Sequence, residues 1–407
     1  MSITMASVEV DISNSEQDFT SSELQSVSTT SSTTDVASLL RSTTLHSAAT
    51  QLLISDQDYI TLAVIYSVLC SLITFSGCFG NAVTIVTYFS MKLKDGVMIS
   101  FLCLAISDLL YGVTILAHLV SVGLSVLELR SSFSIWFPID PFGIYVFFSD
   151  IGVLIYLITV LATTFIAIIR CLCVAKPLQF QNILTKRRSI VCAVAFSIVA
   201  VASYLPILVH MKMERSFDAN INATRYRLRI SPQREVIKTA IWIPRDVLVT
   251  LTTEIIVIVC VVIMMKTLRS AAKFRNIAAK YSVQPLTQVG GLQGQPPKVQ
   301  VNSDLKNNTK YVDAQSNKLT SKDFSVVRQV VLISIVYIVC NMPKVIINVA
   351  VLFVPDLALG KPYQNVYFTI IGIMELFQAF NSSFNIFIYF KYNSKFRKHL
   401  CLSKIKT

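Results

Sequence analysis

The sequence predicts an all-α membrane protein, a bundle of seven transmembrane helices. Three observations carry that prediction. Of 407 residues, 53% are hydrophobic and only 14% charged, against about 25% charged in soluble globular chains. Apolar runs recur at about 59–89, 97–125, 143–173, 189–210, 243–267, 325–354 and 364–390, and a helix needs roughly 20 such residues to cross a bilayer core. Basic stretches lie between alternate runs: Lys92 and Lys94; Lys176, Lys186, Arg187 and Arg188; Lys266, Arg269, Lys273, Arg275 and Lys280; and Lys391, Lys395, Arg397 and Lys398. All fall on one side if the N-terminus is outside, as the positive-inside rule requires. The net charge of +13 is therefore a topology signal; no nucleic-acid motif accompanies it, and nucleic acid is not an expected partner.

Taken in order, residues 1–58 are rich in Ser and Thr, and their many acids face a single Arg41. Such a segment cannot bury enough apolar surface to fold alone, so a disordered extracellular tail is expected. It lacks the basic and apolar regions of a cleavable signal peptide. The receptor-sized unit is expected over 59–390. Its first run carries Asn81, and its second carries Asp108 in LAISDLL and His118 further out. The third runs from Gly143 to Arg170 with Asp150 the one charge between, passes Thr159, and is followed by Pro177.

The loop from His210 to Trp242 is basic, with Lys212, Arg215, Arg225, Arg227, Arg229, Arg234 and Lys238 against Glu214, Asp218 and Glu235. It would draw anionic ligands or pair with the acidic tail. Asn222-Ala223-Thr224 is a glycosylation sequon on the outer side; Asn307-Asn308-Thr309 falls inside and is expected to be unused. Residues from about 270 to 323 have no apolar period and read as a mobile cytoplasmic loop. The sixth run carries Cys340, Asn341, Pro343, Lys344 and Asn348; the seventh carries Glu375, Gln378, Asn381, Ser382, Asn385 and Tyr389. Residues 391–407 form a basic tail. None of the nine cysteines lies in an outer loop, so no extracellular disulfide is expected. No metal-ligand spacing occurs, and no nucleophile cluster suggests an enzyme.

Several of these side chains admit two readings. Arg170 either snorkels to water at the end of its helix or is held by an acid on a neighbour and released when the bundle opens. Asp108, Thr159, Asn381, Ser382 and Asn385 either satisfy one another as helix glue or surround a small hydrated ion. Lys344 and Glu375 either pair and staple two helices, or open to a polar ligand shared with His118, Asn348 and Gln378.

Order, spacing and polarity together resemble a rhodopsin-like G-protein-coupled receptor over about residues 59–404. Arg170 with Pro177 resembles the end of that family's third helix, and Cys340-x-x-Pro343 its sixth-helix motif. Asn81, Asp108, Asn385 and Tyr389 match its polar positions. The chain departs from the family at Ile169, Cys171, Asn341, Ile386 and Tyr145, a pattern that resembles divergent molluscan and other invertebrate chemosensory receptors. The resemblance implies an extracellular ligand, a heterotrimeric G protein as partner, and a sodium ion at Asp108, Thr159, Asn381, Ser382 and Asn385, with no other cofactor. It also implies Asp323 as the partner of Arg170 and an amphipathic eighth helix on membrane lipid, with Cys401 either palmitoylated or a free thiol. A plasma-membrane location follows. The seventh run lacks a lysine, which excludes a retinal Schiff base. A seven-span channel or transporter is the alternative, though the basic loops oppose an inside N-terminus and no broken repeat is evident.

Overall fold

The computed structural model describes residues 54–91, 96–175, 185–219, 221–282, 321–354, 356–357 and 361–403. The long helices are α1 (Asp56–Ser90), α2 (Gly96–Arg130), α3 (Pro141–Ala175) and α4 (Lys186–Val209). Helix α5 is continuous from Pro232–Trp242 through a π-helical segment, Ile243–Val249, into Thr250–Ser282. Then come α6 (Ser321–Phe353), α7 (Gln364–Tyr392) and the short α8 (Ser394–Ser403). Ser55 caps α1 by accepting from the Asp58 N–H at 3.2 Å, and Thr185 caps α4 through Arg188 at 3.4 Å.

Among the described residues, six helices, α1 to α6, are long and apolar enough to cross a membrane. Helix α7 is 29 residues long but turns Gln378, Asn381, Ser382 and Asn385 inward, which lowers its apolar content. The distribution of side chains is that of a bilayer protein. Large apolar residues such as Leu72, Phe75, Phe79, Ile198 and Ile346 face out, while Asn81, Asp108, Thr159, Asn341 and Asn385 are buried. In hydrocarbon, helices gain nothing by hiding leucine, and polar groups turn toward one another.

Helix α3 is central, packing against α2, α4, α5 and α6, while α1 lies between α2 and α7. The α1–α7 approach depends on Gly77 and Gly80. A Cβ at Gly77 would overlap Ser383, and one at Gly80 would stand 3.0 Å from Ile386. At the end where α3 terminates, Tyr88, Phe101, Tyr389 and Phe396 form an aromatic cluster with centroids 5.4 to 6.4 Å apart.

Three expectations need correction. The fold is not wholly α: β1 (Met211–Asp218) and β2 (Ala223–Ile230) form an antiparallel hairpin with Met211 opposite Ile230 and Asp218 opposite Ala223. Helix α5 begins at Pro232 instead of about 243, because the hairpin delivers the chain directly into it and Ser231 bonds back to His210 at 3.1 Å. The segment expected as a loop over 270–323 is helical at both ends, through Ser282 and from Ser321; residues 283–320, with Asn307, lie outside the described residues, as do 1–53 of the expected tail.

Candidate functional site

The centre of the bundle is built from Asp108 on α2, Thr159 on α3 and Asn385 on α7. Asp108 is 1% exposed. Its carboxylate accepts from the Thr159 hydroxyl at 3.2 Å and from the Asn385 amide at 2.8 Å. Thr159 also reaches the Ser107 hydroxyl at 3.0 Å. Asn81 donates to the Ser382 carbonyl at 2.9 Å, bringing α1 in. The Ser382 hydroxyl is buried without a hydrogen-bond partner, and Asn381 is buried nearby on α7. The donor set is one carboxylate with neutral hydroxyls, which suits a monovalent cation or water better than a divalent metal. Among the described residues no group of three or more His, Cys, Asp or Glu stands ready for a metal.

One level toward the hairpin, α5 and α6 exchange charges. Pro244 and the π segment disturb the regular turn of α5, and the consecutive residues Arg245, Asp246 and Val247 are all buried. Such an arc is wider than one helix face presents. Asp246 takes the Arg245 guanidinium at 2.5 Å and Lys344 at 3.9 Å. Asn348 donates to the Asp246 carbonyl at 2.6 Å. Arg245 stacks on Tyr204 of α4 at 4.0 Å, and Lys344 lies over Tyr156 at 5.5 Å. Beside them Arg234 pairs with Asp150 of α3 at 2.5 Å. Deeper, Asn341 donates to Glu254 at 2.9 Å and to the Tyr337 hydroxyl at 3.3 Å. Pro343, two residues on, lies inside α6 and removes one backbone donor there. The Lys344–Glu375 pair weighed from sequence is not formed: Lys344 turns to α5, and Lys344 with Asn348 separates from the other expected ligand residues.

Those others gather between α2 and α7. Tyr111 donates to Gln378 at 2.9 Å, and its ring packs on Tyr156 at 5.1 Å. His118 is buried and meets Tyr145 of α3 edge-on at 4.5 Å. Glu375 is half-buried and within electrostatic reach of His118.

At the other end of the bundle, Arg170 is half-buried in the last turns of α3. Tyr389 is fully buried in the aromatic cluster, and its hydroxyl has no hydrogen-bond partner. Ser325 at the start of α6 donates to the Tyr392 carbonyl at the end of α7, at 2.5 Å. The Asp323 and Cys401 side chains lie outside the described residues, so neither proposed role gains or loses here.

The hairpin carries a second ionic cluster. Arg225 of β2 is 4% exposed and meets Glu128 of α2 at 2.9 Å, Asp218 of β1 at 2.7 Å and Asp140 at 3.7 Å. Glu128 also accepts from the Phe137 N–H at 2.9 Å, and Tyr226 exchanges backbone bonds with Pro138 and Asp140 at 3.0 and 2.8 Å. Burial pushes the Asp140 carboxyl above its ordinary range, and the Arg225 charge opposes that push. For Arg225, burial acts to lower its pKa, but the Glu128 hydrogen bond and the surrounding carboxylates outweigh it and hold the guanidinium charged. The hairpin is thus tied to the head of α3 without sulfur; the described cysteines are free thiols. Asn222 is exposed at the turn with φ 48°, a left-handed conformation that asparagine tolerates.

Sequence reasoning passed over Arg245, Asp246 and Glu254. The signal was available: ionisable residues inside an apolar run are site candidates by default. It also read Arg225 as one of several surface cations, and one sequence offers nothing to single it out from Arg227.

A family model described as 7 transmembrane receptor (rhodopsin family) matches residues 80–389, most of the chain. No curated protein matches the chain.

Proposed function

We propose that this chain, which belongs to the rhodopsin family of seven-transmembrane receptors, binds an extracellular ligand at the hairpin end and activates a heterotrimeric G protein at the Arg170 end. The ligand is a small polar chemosensory molecule or a peptide. Membership of the family makes this a multi-pass membrane receptor, and receptors of that family are generally non-enzymatic signalling proteins. Coupling, ligand class and plasma-membrane location are the proposal. So are α7 as the seventh span, the outside N-terminus, glycan on Asn222, and the basic α8 on lipid with Cys401 acylated.

The observation that carries the reading is the network joining Asp108, Thr159 and Asn385 across α2, α3 and α7. A shift of α6 or α7 near Lys344 or Glu375 strains these bonds, and α3 carries the strain three turns along to Arg170. In the inactive form Asp108, Thr159 and Ser382 would hold a sodium ion, which supplies charge compensation to a buried carboxylate. Release of Arg170 from Asp323 needs only about 1.4 kcal/mol to change the active fraction tenfold. No observation favours a channel or transporter.

The test is a ligand screen on the full chain with a promiscuous G-protein reporter. Arg170→Ala should abolish coupling at normal surface expression, and Asp323→Ala should raise basal signalling. Full signalling by Arg170→Ala would overturn the mechanism. A glycan on Asn307 in place of Asn222 would overturn the topology.

A further inference from the structure

Glu375 stands apart from the paired charges described in the hairpin half of the bundle. Lys344 is paired with Asp246, Asp150 with Arg234, and Glu128, Asp140 and Asp218 surround Arg225. Among the described residues, Glu375 forms no ion pair and accepts no side-chain hydrogen bond. On α7 it stands one turn after Gly372, which meets the Tyr66 ring of α1, and one turn before Gln378, which accepts from Tyr111 of α2 at 2.9 Å, so its position lies between α1 and α2. It is half-buried.

The surroundings are aromatic. The Tyr66 ring lies against Gly372, one turn before Glu375; a Cβ there would stand 2.6 to 2.8 Å from three ring carbons, so glycine is what admits the ring. Tyr145 holds His118 edge-on at 4.5 Å. His118 is 5% exposed and its Nδ1 has no hydrogen-bond partner, a second buried polar group within electrostatic reach of Glu375. A carboxylate among phenol rings is the arrangement that recognises an ammonium group: the carboxylate supplies a charge-assisted contact and the rings supply their negative faces.

We infer that Glu375, with Tyr66, Tyr111 and Tyr145 around it, is the docking point for the ammonium group of a small amine ligand, and that His118 takes a neighbouring polar atom of that ligand. The inference rests on the receptor reading above and names its ligand class.

Purified full-length receptor is heated with phenethylamine or tetramethylammonium, and with two matched controls, neutral 2-phenylethanol and anionic 3-phenylpropanoate. The cations should raise the unfolding temperature dose-dependently and the controls should not. Glu375→Gln should weaken cation binding roughly 10- to 100-fold yet unfold no earlier than the parent without probe, because an unpaired charge has been removed. Glu375→Asp should keep the preference for cations. Absence of stabilisation by either cation at millimolar concentration, equal stabilisation by the controls, or an unchanged response in Glu375→Gln would overturn the site. Cation binding without any G-protein response would sink the signalling proposal and leave this one standing; signalling only by ligands that lack a cation would do the reverse.

Discussion

Asp108 and Glu375 are carboxylates inside the same bundle, and their surroundings are opposite. Asp108 is almost wholly buried and accepts from Thr159 and Asn385. Glu375 is more open, and among the described residues no side chain donates to it. A buried charge persists only where something compensates it. Asp108 is hydrogen-bonded by the protein, which ties three helices together at that level. Glu375 has His118 within electrostatic reach but no ion pair or side-chain donor among the described residues, which is why the ammonium site is proposed there. Arg225 extends the comparison: it is one guanidinium among three carboxylates on β1, α2 and the head of α3.

The difference predicts mutational effects of graded size and of opposite sign. The largest follows from Arg225→Gln, which removes the guanidinium that Glu128, Asp140 and Asp218 share. Breaking a buried ion pair from one side costs about 3–5 kcal/mol, so surface expression and unfolding temperature should both fall sharply. The loss should shrink as pH falls. Burial already holds the folded-state pKa of Asp140 above its unfolded value, and without Arg225 only the Phe142 N–H and the Arg227 charge oppose the push. The folded state then binds the proton more readily than the unfolded state, and stability rises as pH drops from about 7 toward 5. A variant whose unfolding temperature is flat across that window would refute this account.

Asp108→Asn comes next. It replaces two acceptor oxygens, which take Thr159 and Asn385 separately, by one oxygen and an NH2 that cannot accept. A buried donor is left unpaired at a cost of about 1–3 kcal/mol, so the resting receptor should unfold earlier and lose any sodium dependence of its signalling. Placed beside Glu375→Gln, it gives the sharpest contrast: one neutralisation should destabilise and the other should not. If both shift unfolding the same way, the distinction between matched and unmatched carboxylates fails. A smaller effect is expected from Asn341→Ala, which leaves Glu254 buried without its 2.9 Å donor and should cost about 1–3 kcal/mol in thermal unfolding. The smallest concerns the exposed Arg229–Glu214 pair at 3.1 Å. Arg229→Ala should change stability by less than about 1 kcal/mol; a loss comparable to that of Arg225→Gln would mean that burial is not what separates these two arginines.

How much of this was legible depended on the range of the interaction. The polar centre could be read from Asp108, Thr159 and Asn385 because an amide or acid in an apolar run must find a partner on another helix, and few were available. The hairpin left a weaker trace. Met211–Asp218 and Ala223–Ile230 alternate in character, but such short alternations among many charges compete with a plain basic loop. The start of α5 was misplaced for a related reason: Pro232–Trp242 is polar enough to read as loop, and only its packing against α4 makes it the outer turns of a long helix.

The sequence by itself determined that the chain is a multi-helix membrane bundle, since hydrocarbon forbids unsatisfied backbone and leaves long apolar runs no other structure. It determined which residues would be costly there. Which of them meet was decided only by tertiary structure. Lys344 turned to Asp246 and left Glu375 alone, and Arg225, not its neighbours on the same strand, came to bind the hairpin to α3. Pairing depends on the rotation and registry of whole helices, and on the π segment that carries Asp246 inward. Those are set by close packing summed over every helix contact, a quantity that no single stretch of sequence contains.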